Sequence, residues 1–282
     1  MAFLEIAQGA VAALEAYKSI KENGDWLKRK SYRIARRLSN GKVNIPVFGA
    51  GGSGKSTLGR MLITKNTFGL PSIYAESRSV EKNEMQGWIP ASLNIAPGQA
   101  ARVSYTWPDL IRDINNGKSP GLINVVSFGY HAVEVPSIRS LDSFGKSDDF
   151  SVDFEVYTEN RRAREVELLD YIYKATETAA NPFWIITVVS KQDLWSHRHR
   201  EVKEFYEHGP YADVLKKFEV RHGSAKFQHE IFNCSFTLGN FVTEREGIVA
   251  QNNAGYDLAS HINSLIPFYQ MIDHRLGEGN RK

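Results

Sequence analysis

The sequence predicts a three-layer α/β fold: a mostly parallel sheet of about six strands, preceded by a two-helix extension. Three observations carry this expectation. From Val43 onward, short continuous apolar runs alternate with helix-like segments, the pattern of strands buried on both faces. A glycine-rich turn joins the first of these runs to the first helix. Before Val43 the apolar residues recur at helical spacing and no strand pattern occurs.

In the extension, 1–42, Phe3, Ala7, Ala10, Leu14 and Tyr17 recur at steps of four and three, which predicts a helix over 2–20. "ENGD" is read as a break, with Asn23-Gly24 as the turn. A second helix over about 25–39 places Leu27, Ile34 and Leu38 on one face, and "SNGK" closes it. The body, 43–282, supplies strand candidates at 43–49, 91–97, 121–129, 183–190 and 229–236, with a polar edge strand at 77–85. Helices are expected at 55–65, 107–116, 160–180, 197–218 and 255–274. Residues 130–158 read as a polar insertion with some β character.

Length and composition are those of a globular chain, ample for a packed core. The single cysteine, Cys234, cannot form an internal disulfide and fits a reducing, cytoplasmic setting. No apolar run reaches the roughly 20 residues that span a membrane. The N-terminus is not expected to be a secretory signal, because Glu5 interrupts its apolar run and no basic segment precedes it. The net charge of +3 is unevenly placed. Residues 18–42 hold nine Lys/Arg against Glu22 and Asp25, a local +7 that leaves −4 for the remainder. The basic extension suits either an anionic membrane surface or packing on the acidic body.

Gly49-Ala50-Gly51-Gly52-Ser53-Gly54-Lys55-Ser56 satisfies G-x-x-x-x-G-K-[ST] after a strand and before a helix. Glycines let the backbone curl so that successive N–H groups point at phosphate oxygens. The helix beginning near Lys55 adds the positive end of its dipole. Lys55 is expected to bridge the β- and γ-phosphates, Ser56 to offer its hydroxyl to Mg²⁺, and Thr57 to bond the α-phosphate. The fold expectation sharpens to that of a phosphate-loop nucleotide-binding domain.

"FWIITVVS" is followed by Ser190-Lys191-Gln192-Asp193 and Leu194. This element resembles the N/T-K-x-D signature of GTP-binding switch proteins of the Ras and Arf class. The resemblance runs from about Val43 to Gln270 and implies a G-domain-like fold that binds GTP and GDP. It implies that Asp193 takes two hydrogen bonds from guanine N1 and N2, a donor pair adenine lacks. It implies that the Lys191 stem packs over the base, with its ammonium tied back to the phosphate loop. Ser190 replaces the usual Asn or Thr and keeps a hydroxyl. The family's last element, an S-A-K-like turn, has two candidates here. "GSAKF" (Ser224 to Lys226) has the letters but precedes its strand; Cys234-Ser235-Phe236 follows one and is preferred, with Ser235 as the base-site residue.

"LNIAPGQ" stands where the family has a strand ending in D-x-x-G. In that register Gly98 senses the γ-phosphate and Gln99 orients the attacking water, but Ile95 occupies the place of the metal-holding aspartate. The switch-one metal ligand is assigned to Ser72, with Thr64, Thr67, Ser77 and Ser79 as competitors. The implied function is a guanine-nucleotide switch with slow hydrolysis, helped by a protein partner or regulator. The rivals are a non-hydrolysing binding module and an ATP-using phosphate-loop enzyme. His197 and His199 read as solvated surface; Glu165, Glu167 and Asp170 read as an exposed charged helix face; Tyr206 and Tyr211 read as packing residues. The basic helix over 26–38 could also meet nucleic acid, but no specific nucleic-acid partner is expected.

Overall fold

The structure is a computed structural model. It describes residues 18–19, 21–24, 26–27, 44–63, 81–83, 93–96, 100–131, 150–179, 181–236, 241–243, 247–250 and 256–278. For 63, 81–83, 100–105, 150–153, 241–243, 247–250, 273 and 276–278 the backbone alone is described.

Six strands form one sheet in the order β2-β3-β1-β4-β5-β6. They are β1 (Ile45–Phe48), β2 (Glu81–Asn83), β3 (Leu93–Ile95), β4 (Gly121–Val126), β5 (Phe183–Val189) and β6 (Phe227–Asn233). Five run parallel, and β2 is an antiparallel edge strand on β3. The expected mostly parallel sheet is therefore present, with each strand inside its predicted run or within two residues of it. β7 (Phe241–Thr243) and β8 (Gly247–Ala250) form a separate antiparallel pair that the sequence reading missed.

The helices are α1 (Lys55–Ile63), α2 (Ala100–Asn115), α3 (Phe150–Ala175), α4 (Gln192–Trp195), α5 (His199–Lys203), α6 (Pro210–His222) and α7 (Leu258–Glu278). Strand alternation sorts the core into two layers. Leu122 and Val126 of β4 face a cluster with Trp107 of α2, Leu168 and Ile172 of α3, and Val214 and Phe218 of α6. Ile123 and Val125 face a cluster with Leu58 and Met61 of α1 and Leu265 and Phe268 of α7. This is the three-layer arrangement that a doubly covered sheet requires.

Four expectations need correcting. α2 starts at Ala100, seven residues before the predicted 107, and carries Pro108 in its interior. Burial of Trp107, Leu110, Ile111 and Ile114 outweighs the backbone bond that proline removes. α3 begins at Phe150, so the polar insertion assigned to 130–158 is helical over its last nine residues. The predicted helix 197–218 is broken: a π-helical turn, Glu204–His208, ends at extended Gly209, and Pro210 opens α6. Positions 21–24 are helical, so Asn23-Gly24 is not a turn. Asn23 Nδ2 bonds Asn263 Oδ1 of α7 at 3.3 Å, and Leu27 is fully buried against α1 and α7, which offsets the roughly 1 kcal/mol cost of a helical glycine.

Leu27 therefore belongs to the core of the body. Leu27→Ala is expected to destabilise the whole chain by about 2–5 kcal/mol, read as a lower urea midpoint with an unchanged slope. A loss below about 0.5 kcal/mol would show that this end of the extension is not docked. No helix among the described residues is long and apolar enough to cross a membrane.

Candidate nucleotide site

Strand order reverses at β1: the chain leaves it toward β3 on one side and returns to β4 on the other. Ligand crevices in open α/β sheets lie at the carboxyl ends of strands at such a reversal. The glycine-rich loop, residues 49–54, starts there and feeds α1. Gly49 has φ +136, and a Cβ on it would sit 2.1 Å from the Val125 carbonyl oxygen, so only glycine lets the loop lie against β4. Gly52 and Gly54 also have positive φ. Gly51, Gly52, Ser56 and Thr57 are half-buried, whereas Ser53 and Lys55 are buried.

The Lys55 ammonium bonds the carbonyl oxygens of Gly49 at 2.9 Å and Ala50 at 2.7 Å. Its charge is thus centred on the loop, where a phosphate would find it with the amides of α1's first turn. The buried Ser53 hydroxyl has no hydrogen-bond partner among the described residues. A buried hydroxyl left without a partner costs energy, which an anion's oxygen at the loop would recover.

A second loop meets the first. β5 ends at Val189, and the buried Ser190 hydroxyl lies 2.7 Å from Ser53 O and 2.9 Å from Val126 O. The retained hydroxyl of Ser190 therefore fastens the strand-end loop to the glycine-rich loop. Asp193, in α4, is buried. Its carboxylate accepts a hydrogen bond from Ser235 Oγ, and its amide donates back to that hydroxyl at 2.9 Å. Cys234 N bonds Val189 O at 3.0 Å, and Gln192 N bonds Cys234 O at 3.3 Å, so the turn after β6 is laced to the 190–193 loop. Of the two candidate turns, the one after β6 places Ser235 against Asp193. Phe236 covers the other side, since a Cβ on Gly54 would meet its ring at 3.1 Å.

Lys191 departs from the expectation. Its ammonium donates to the Tyr130 carbonyl, in the connection after β4, and not to the glycine-rich loop; the tie to that loop is made by Ser190. Burial pulls the Lys191 ammonium down to about 8, against the opposing charges of Asp193 and Glu165. Glu165 is the site-adjacent residue that the sequence reading misplaced: it is buried, not exposed. Tyr206 and Tyr211 pack in the core as expected.

Ile95 ends β3 beside Val47 of β1, fully buried among Val47, Leu58 and Met61. It offers no metal ligand, and no cluster of three acidic, His or Cys side chains suited to a metal occurs among the described residues. Ser56, the side chain expected to meet Mg²⁺, stands half-buried in the first turn of α1. Ser72, Gly98 and Gln99 lie outside the described residues, as do Thr64, Thr67, Ser77 and Ser79.

No protein-family model and no curated protein sequence matches the chain. A similar solved structure is that of an ADP-ribosylation-factor-like GTP-binding protein, the small COPII coat GTPase SAR1, from Encephalitozoon cuniculi in complex with GDP. That match has 13% identity, covers 98% of this chain and 95% of that one, and has a TM-score of 0.42.

Proposed function

We propose that the chain is a guanine-nucleotide-binding switch protein with slow GTP hydrolysis that a protein partner or regulator accelerates. One observation carries the reading. Ser190 joins the glycine-rich loop to a loop whose buried Asp193 is oriented by Ser235, so a phosphate cradle and a carboxylate suited to a base's N–H pair share one sheet edge. A nucleotide laid along that edge would place its phosphates on the amides of 49–56 and its base against Lys191 and Asp193. Guanine satisfies the carboxylate with two donors; adenine leaves it short, which a buried polar site penalises heavily.

For hydrolysis, Lys55 and the loop amides would stabilise charge on the γ-phosphate oxygens as water attacks phosphorus. Mg²⁺, when bound through Ser56 and the phosphates, neutralises part of that charge. Gln99 and Gly98 are assigned to water orientation and γ-phosphate sensing, and Ser72 to the switch-one ligand. The switch segments, about 66–85 and 96–106, would be ordered by the γ-phosphate and released after its loss. Attachment of the basic extension to an anionic membrane is an alternative to its docking on the body, and Leu27 favours docking.

Ile95 favours a second reading, a non-hydrolysing module that binds nucleotide only. Single-turnover GTP hydrolysis, with and without Mg²⁺, separates the two. A slow, Mg²⁺-dependent rate is expected; no turnover over days would leave the binding module. Ile95→Asp is expected to raise that rate by about a hundredfold, equivalent to about 2.7 kcal/mol, by supplying the missing carboxylate. Burying the new charge costs stability, so the melting temperature is measured alongside. A folded Ile95→Asp protein that binds GTP normally and hydrolyses no faster would place the metal-holding position elsewhere.

A further inference from the structure

The connection after β4, residues 127–131, is bent by two consecutive left-handed residues. Phe128 has φ +52 and Gly129 φ +81. A Cβ on Gly129 would meet the Thr158 carbonyl oxygen at 2.3 Å, so glycine is required there; for Phe128 the left-handed region costs about 1–2 kcal/mol. Something must hold it in place.

One buried carboxylate does so. Glu165 Oε1 of α3 accepts from Ser127 N at 2.8 Å, Gly129 N at 3.4 Å and His131 Nε2 at 2.8 Å. Glu165 Oε2 accepts from the Tyr206 hydroxyl at 2.5 Å, and Tyr206 Oη accepts from Phe128 N at 2.9 Å. Three successive amides are thus satisfied through two side chains. Tyr206 reaches them from the π-helical turn Glu204–His208, a distortion often found at functional sites. The guanidinium groups of Arg162 and Arg198 lie 4.6 and 5.2 Å from the Phe128 ring centroid. The connection so fixed turns the Tyr130 carbonyl onto the Lys191 ammonium. Lys191 itself has φ +60, a second non-glycine residue held in the left-handed region.

A buried carboxylate is costly unless its hydrogen bonds are complete, and an apolar residue would fill the space at less expense. All four contacts of Glu165 serve the connection that holds Lys191.

We propose that Glu165 is a positioning residue for the base-binding loop, acting through residues 127–131 and the Tyr130 carbonyl to hold Lys191 beneath a guanine ring. The inference rests on the reading that residues 190–193 bind guanine. In it, the ordering of the lysine passes from the phosphate loop to the connection after β4.

The test is a double-mutant cycle on GDP affinity in the full chain, by calorimetry, with folding checked by circular dichroism. Glu165→Gln is expected to weaken GDP at least tenfold. Tyr206→Phe, which removes one hydroxyl and keeps the ring, is expected to weaken it threefold or more. In a Lys191→Met background both losses should shrink below twofold, because the side chain they position is gone. A merely structural role would lower stability and give the same loss in both backgrounds. Folded variants that bind GDP within twofold of wild type, or losses undiminished by Lys191→Met, would overturn the proposal. Should Glu165→Gln not fold, Tyr206→Phe decides alone. A wild type that binds no guanine nucleotide would overturn the proposed function, and this inference with it.

Discussion

Lys55→Ala is expected to lower nucleotide affinity by more than a hundredfold, about 2.7 kcal/mol, with the fold retained. Lys55 is buried and its ammonium is held at 2.9 and 2.7 Å from two loop carbonyls. Removing it deletes the cation at the centre of the loop, where charge-assisted bonds to phosphate are about twice as strong as neutral ones. It also leaves the Gly49 and Ala50 carbonyls without their donor, which costs about 1–3 kcal/mol of stability. Calorimetry and circular dichroism together check both halves. Unchanged affinity in a folded variant would mean that residues 49–56 are a structural turn.

Asp193→Asn is expected to reverse base preference, with GTP weakened about a hundredfold or more and xanthosine triphosphate strengthened. The wild-type carboxylate accepts only, matching the N1–H and N2–H donors of guanine. Xanthine presents a carbonyl where guanine presents its amino group, so it needs a donor at that point, and the asparagine amide supplies one. Ser235 can keep its contact, because its hydroxyl donates to whichever oxygen remains. Competition between the two triphosphates measures the swing. If their ratio stays at the wild-type value, Asp193 does not read the base, which then lies elsewhere.

The strand–glycine turn–helix unit around residues 49–56 was legible because its signal is local: glycines, lysine and serine at fixed spacing between a strand and a helix. The five parallel strands were legible because burial on both faces writes a continuous apolar run. Ser235 could be chosen over Ser224 because the turn must follow its strand. Glu165 was not legible. On its own helix it reads as one of several acidic residues, and its burial is set by His131 and Tyr206, which lie 34 and 41 positions away. The same holds for Lys191, whose partner is a backbone carbonyl in a connection whose bend no motif announces. Asn23-Gly24 has turn chemistry but helical structure, because Leu27 is anchored in the core and Asn23 on α7. The expected start at 107 fell short of Ala100, because the apolar face through Trp107 carries the helix across Pro108.

The central claim is that the edge formed by residues 49–56, 190–193 and 234–236 is one guanine-nucleotide site. Titrating wild-type protein with GDP and with ADP, in the presence of Mg²⁺, tests it most directly. One site per chain is expected for GDP, with an affinity at least a hundredfold weaker for ADP. Equal affinities, or binding of ADP alone, would contradict it.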